Sequence, residues 1–197
     1  MVTLTRLYQG DVILWHLPGH IDDIEKVQRR ATKLLPDIAH LSYSSRLQEL
    51  NLPTLVYRRL RGDMIETFKI LHQIYDPRVS NFLPLHHYNN TRGHNYKLFV
   101  QPANSNIRKH YFSIRITEVW NHLPNIVVNA PSVQTFESRL DKCWSEISIK
   151  YDYRSQLNFS EFKALNITSN NIDGELGAEA STWPAQYKTC ELYLWVI

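Results

Sequence analysis

Residues 52–74, LPTLVYRRLRGDMIETFKILHQI, place apolar side chains at Tyr57, Leu60, Met64, Phe68, Leu71 and Ile74. Steps of three and four stack these on one face of an α-helix, and no other stretch keeps the pattern for as long. Pro53 and Thr54 suit its entrance, through a fixed φ and a side-chain oxygen that accepts from an early backbone N–H. Asp76-Pro77 is the expected stop, because proline disfavours the α conformation in the residue before it. Such a helix needs an apolar surface to lie on, so the remaining segments must supply a core. Arg58, Arg59 and Arg61 crowd its first half, so it also carries charge.

Shorter helices flank it. From His20, the residues Ile21, Ile24, Val27, Ala31, Leu34 and Leu35 form an apolar stripe stopped by Pro36, which predicts an amphipathic helix with the stripe inward. Asp22, Asp23 and Glu25 fall in its first turn, where the helix dipole favours negative charge. Lys26, Arg29, Arg30 and Lys33 occupy its other faces. Residues 42–50 predict a short helix, with Leu47 and Leu50 inward and Ser42 or Ser44 as the cap. Residues 77–106 hold three prolines, Gly93 and six Asn, and read as a long loop with a short strand at 96–100. Helical order returns over 107–123, with Ile107, Tyr111, Ile114, Val119 and Trp120 inward, and Trp120 as a core anchor. Ser132 caps a last helix, whose stripe is Val133, Phe136, Leu140, Cys143, Trp144 and Ile147. Cys143 lies on that stripe, as a packed thiol does.

The expected architecture is mainly α: a small cluster of about five helices with a long basic loop. A non-matching segment 1–19 precedes a helical domain 20–150. Residues 151–197, acidic and rich in Ser, Asn and Ala, predict a poorly ordered tail. No run of 18 apolar residues exists, which argues against a membrane partner. The N-terminus lacks the basic start and small-residue cleavage site of a secretory signal. Two cysteines make no disulfide framework and no zinc site, so an intracellular location, cytoplasm or nucleus, is expected. His86, His87 and His94 have no nearby Cys, Asp or Glu to complete a metal site, and no metal or other cofactor is expected.

Charge is unevenly placed. Residues 1–150 hold 19 Lys/Arg against 13 Asp/Glu, and residues 151–197 hold 3 against 6. Residues 77–117 contain no acid at all, with six Lys/Arg and four His. A stretch of that length without a carboxylate presents unscreened positive charge, which favours a polyanion.

Several of these segments resemble a known family. Residues 24–34, IEKVQRRATKL, then Arg46-Leu47-Gln48-Glu49-Leu50, Leu52-Pro53-Thr54-Leu55 and residues 57–64, YRRLRGDM, are similar to the region after the polymerase domain in LINE-type (jockey-like) non-LTR retrotransposon reverse transcriptases. The likeness continues through Thr91-Arg92-Gly93-His94, Arg108, Phe112, Trp120-Asn121-His122-Leu123-Pro124, Ser132-Val133, Phe136 and Leu140-Asp141-Lys142, in the family's order over about residues 21–145. The resemblance implies a C-terminal fragment of an RNA-directed DNA polymerase, whose upstream polymerase domain is its partner in the intact element. The family's two-metal chemistry needs palm carboxylates, including an aromatic-x-Asp-Asp turn. The Asp22-Asp23 pair opens a helix, and His20 stands where the family has Tyr or Phe, so no catalytic residue is expected.

Two functions remain. The first is non-specific contact with an RNA or DNA backbone through Lys26, Arg29, Arg30, Lys33, Arg58, Arg59, Arg61, Arg92, Arg108, Lys109 and Arg115. The second is a helical structural or protein-interaction module. A stand-alone enzyme with a small-molecule substrate has no support: the chain shows no Gly-rich phosphate loop and no nucleophile elbow.

Overall fold

The computed structural model describes residues 18–75, 83–86 and 93–162. Their architecture is mainly α. Helix α1 spans Pro18–Lys33, α2 Tyr43–Glu49, α3 Leu55–Leu71, α4 Asn106–Lys109, α5 Phe112–Asn121, α6 Asn125–Val128 and α7 Val133–Cys143. Two 3-10 turns follow, at Ser148–Lys150 and Phe159–Glu161. The expected strand at 96–100 is a single antiparallel bridge between Leu85 and Leu98, framed by the His86 N–H donating to the Lys97 carbonyl at 2.7 Å.

Helix α3 lies at the centre, packed against α1, α5 and α7. Tyr57, Met64, Phe68 and Leu71 are buried as expected, joined by Ile65, Thr67 and Ile70. Thr54 caps α3, accepting from the Tyr57 N–H at 3.1 Å while its hydroxyl donates to the Ile149 carbonyl at 2.7 Å. The exit differs from expectation. The helix stops at Leu71, and Gln73 turns left-handed with φ 56°. The Ile74 N–H then donates back to the Lys69 carbonyl and the Gln73 N–H to that of Ile70, closing a Schellman motif. Ile74 is thereby outside the core and exposed. The Asp76-Pro77 stop lies outside the described residues. Helix α2 ends in the same way, with Asn51 at φ 49° and the Leu52 N–H on the Leu47 carbonyl.

Helix α7 follows its sequence pattern: Ser132 caps it, and Phe136, Leu140, Cys143, Trp144 and Ile147 are all buried. Phe136 stacks on Phe68 with ring centroids 4.4 Å apart, joining α7 to α3. The expected helix over 107–123 is instead two, broken at Tyr111, whose ψ of 142° is extended. The break turns Ile107 and Tyr111 outward, and the buried residues are Ile116, Thr117, Val119 and Trp120. Trp120 is fully buried, with its indole N–H donating to the Tyr96 carbonyl at 2.8 Å. Asn121 pins the loop to α5 by both accepting from the Leu98 N–H and donating to the Leu98 carbonyl.

Packing does not stop at Lys150, where the sequence placed a boundary. Leu157, Phe159 and Phe162 lie against the core. The remainder of the expected tail, residues 163–197, lies outside the described residues, as does the segment 1–17.

Helix α1 departs furthest from its pattern. Its buried side chains are Glu25, Gln28 and Thr32, not the apolar stripe. Ile21 and Ile24 are half-buried and Ala31 is exposed. Val27, Leu34 and Leu35 are 52%, 83% and 40% exposed. The helix starts at Pro18, which also carries Asp22 and Asp23 beyond the first turn. The reason for the inversion is Glu25. Its carboxylate seats on the N-terminus of α3, accepting from the Leu55 N–H at 2.7 Å and the Val56 N–H at 3.2 Å. Free N–H groups and the positive end of the dipole make that point a carboxylate site. Tyr43 of α2 donates to the other oxygen of Glu25 at 2.6 Å. Gln28 donates to the Pro53 carbonyl, and the Arg46 guanidinium reaches Thr32 and the carbonyls of Leu41 and Arg29. Glu25, Gln28 and Arg46 thus satisfy the backbone of the α2–α3 elbow, and the α1 residues Val27 and Ala31 are left exposed.

Candidate nucleic-acid interface

Eleven cations define the expected interface, and several of the described ones are held by carboxylates or aromatic rings. Arg115 on α5 forms a bidentate pair with Asp63 on α3, at 2.9 and 2.8 Å, and a third bond to the His110 carbonyl. The two side chains of that pair are only 11% and 13% exposed. Arg61 is bidentate to Asp141 on α7 at 2.7 and 2.9 Å, with Glu137 close by. The Asp141 bonds hold its guanidinium above the ordinary arginine value, against the opposing effect of burial. Both arginines are bound to carboxylates, whose oxygens occupy the fork that a phosphate would need.

Arg58 and Arg59 are half-buried and each has an interaction partner. Burial pulls Arg59 below the ordinary arginine value, while the Glu25 and Asp63 carboxylates push it back. Charges therefore alternate from Glu25 through Arg59 and Asp63 to Arg115, which ties α1, α3 and α5 together. Arg29 is sandwiched near the rings of Tyr43 and Tyr153, 5.3 and 5.4 Å from their centroids, and donates to the Tyr153 hydroxyl. Lys26 pairs with Asp23 at 2.6 Å in solvent, a contact that salt and water reduce to little.

The cations that stay exposed with no partner among the described residues are Arg30 and Lys33 on α1, and Arg108 and Lys109 on α4. Helix α4 lies in the acid-free stretch. Its cap is Ser105, and its exposed Ile107 sits beside the two cations. Arg92 lies outside the described residues. Arg61, Arg115 and Arg29 are thus held within the fold, and Arg30, Lys33, Arg108 and Lys109 are exposed without a partner among the described residues.

The Asp22-Asp23 pair is engaged locally, Asp22 accepting from Tyr153 at 2.8 Å and Asp23 from Lys26. His94 is buried, with Nε2 3.1 Å from the Trp120 carbonyl, and burial lowers its pKa. Its Nδ1 has no hydrogen-bond partner among the described residues. No group of three or more His, Cys, Asp or Glu is placed to hold a metal ion among the described residues. Burial pushes the Cys143 thiol up to about 11, away from the thiolate a nucleophile needs. No helix among the described residues is long and apolar enough to cross a membrane.

Sequence reasoning missed Glu25 and Tyr43, which position α1 on α3. Their only sequence signal is an acid and a phenol facing an Asn-Leu-Pro-Thr helix entrance, and the pairing spans 30 residues. Compared with family models, curated proteins and solved structures, the chain matches none of them.

Proposed function

We propose that this chain is a helical post-polymerase module of the LINE-type reverse transcriptase kind, with no catalytic chemistry of its own, that holds RNA or DNA backbone non-specifically. The observation that carries this reading is the set of exposed cations Arg30, Lys33, Arg108 and Lys109, the last two in a 41-residue stretch without a carboxylate. Lys and Arg in that setting contact backbone phosphates and carry no sequence information. In an intact element the upstream polymerase domain supplies the chemistry and this module supplies grip.

The test is a fluorescence-anisotropy titration of labelled duplex and single-stranded oligonucleotides at several salt concentrations. Four phosphate contacts give a slope of log K against log salt of about −3 to −4 on duplex. Replacing Arg30, Lys33, Arg108 and Lys109 by Gln abolishes the slope, while Arg61→Gln leaves it unchanged and lowers stability. No binding at low salt, or binding indifferent to salt, sinks the proposal.

A specific observation favours a second reading, a protein-interaction module: the arginines best placed on α3 and α5 are occupied by Asp141 and Asp63, while α1 turns apolar side chains outward. Under that reading the oligonucleotides do not bind and a protein ligand does.

A further inference from the structure

Helix α1 turns polar residues inward and apolar residues outward. On α1 the half-buried Ile24 and the exposed Val27 and Ala31 are spaced three and four apart, and Leu34 continues this a and d spacing in the turn just past the helix end. Val27 and Leu34 are 52% and 83% exposed. One flank of the seam is closed, because Gln28, Glu25 and Thr32 face the α2–α3 elbow. The open flank carries Lys26, Arg30 and Lys33 against two acids, Asp22 and Asp23, which leaves it net positive.

We infer that this face of α1 docks an acidic amphipathic helix of a partner protein. A linear seam at heptad spacing is a ridge that fits the groove of another helix. A row of cations beside it selects Glu or Asp at the partner's flanking positions. A second copy of this chain brings the same net positive flank and is repelled. A lipid surface is disfavoured by the lack of an aromatic anchor on the seam and by the protein covering the helix's other side. The inference stands apart from nucleic-acid binding, which uses α4 as well and needs no apolar seam.

The experiment uses the full chain and a fluorescein-labelled peptide of about three heptads with Leu at a and d and Glu at e and g. The same peptide with Lys in place of Glu, and phosphatidylserine vesicles, form the other arms. The Glu peptide binds, and the Lys peptide binds at least about tenfold more weakly. Val27→Gln with Leu34→Gln weakens the Glu peptide by about tenfold or more and leaves the thermal midpoint nearly unchanged, since Leu34 is largely in water and Val27 about half so. Arg30→Glu with Lys33→Glu reverses the preference between the two peptides. Equal binding of both peptides, no binding of either, or vesicle binding without peptide binding overturns the inference. A fall in thermal midpoint for Val27→Gln with Leu34→Gln also overturns it, because the seam is then covered by the chain itself.

Discussion

Glu25 carries more of this fold than any other polar side chain. It is fully buried, and its two oxygens accept from Leu55, Val56 and Tyr43. Glu25→Ala leaves these donors without an acceptor at the entrance of the central helix. The expected loss is about 2–3 kcal/mol, seen as a thermal midpoint lower by about 5–10 °C. Glu25→Gln keeps one acceptor and loses less. An unchanged midpoint for Glu25→Ala would show that α1 is not latched by this carboxylate. Tyr43 is suited to its part, because burial and the bond to Glu25 raise its phenol pKa, so the hydroxyl keeps its proton. His94 sets a pH dependence. Burial, together with Lys97, lowers its pKa below the ordinary 6.5, against the opposing Trp120 carbonyl bond. As pH falls, the unfolded chain therefore takes up the proton first. The stability His94 contributes is present above about pH 6.5 and is lost as pH falls below it, toward the folded-state pKa. His72 adds a dependence of the same sign, through burial. His94→Gln, which can still donate to Trp120, should unfold in urea with a shallower fall in midpoint between about pH 7.5 and pH 5.5. Parallel profiles for the two proteins would exclude His94 as the titrating group.

At the scale of the element, α3 and α7 were legible because their 3.6-residue stripes coincide with their buried faces. The caps Thr54 and Ser132 could be read for the same local reason. Helix α1 has an equally good stripe, but its buried face is rotated off that stripe onto Glu25, Gln28 and Thr32. Periodicity reports that a helix has two faces, but not that the polar one will meet a free helix N-terminus. Likewise, the cations of the candidate interface could be counted in the sequence, but their pairing could not. Arg61 meets an acid 80 residues away and Arg115 one 52 residues away. Two predictions belong to α3. Gly62 sits in the interior of the helix, and a Cβ added there meets nothing within 4 Å. Gly62→Ala should raise stability by about 1 kcal/mol, measured by urea unfolding; a loss would mean that the surface beside Gly62 is covered. Arg115→Ala leaves Asp63 in a nearly dry site without its partner and should cost about 3 kcal/mol. A double-mutant cycle with Asp63→Ala should recover much of that loss, because the stranded charge is then gone. Strictly additive losses would mean that the pair does not couple α3 to α5.

The limits of the whole folded unit were the least legible feature. Beyond Lys150 the composition turns polar and acidic, and composition alone cannot show that a few aromatics find places on the core. Tyr153 reaches back to Asp22 and Arg29 on α1, across 131 and 124 residues. Phe159 stacks on His122 with centroids 4.0 Å apart, and Phe162 packs near Trp144 at 5.7 Å. Glu161 accepts from the Ser148 N–H at 2.8 Å, closing the segment on the 3-10 turn. This strap therefore joins α1 to the α7 end of the core. A chain ending at Leu165 keeps these contacts, and one ending at Lys150 loses all of them. Half-burial of Leu157, Phe159 and Phe162 together contributes about 3 kcal/mol, before the Tyr153 contacts. The shorter chain should melt about 6–12 °C below the longer one. Its α1 should also exchange amide hydrogens faster, because Arg29 and Asp22 lose their tether. Equal midpoints for the two chains would return the boundary of the folded unit to Lys150, and equal exchange in α1 would remove the strap as its restraint.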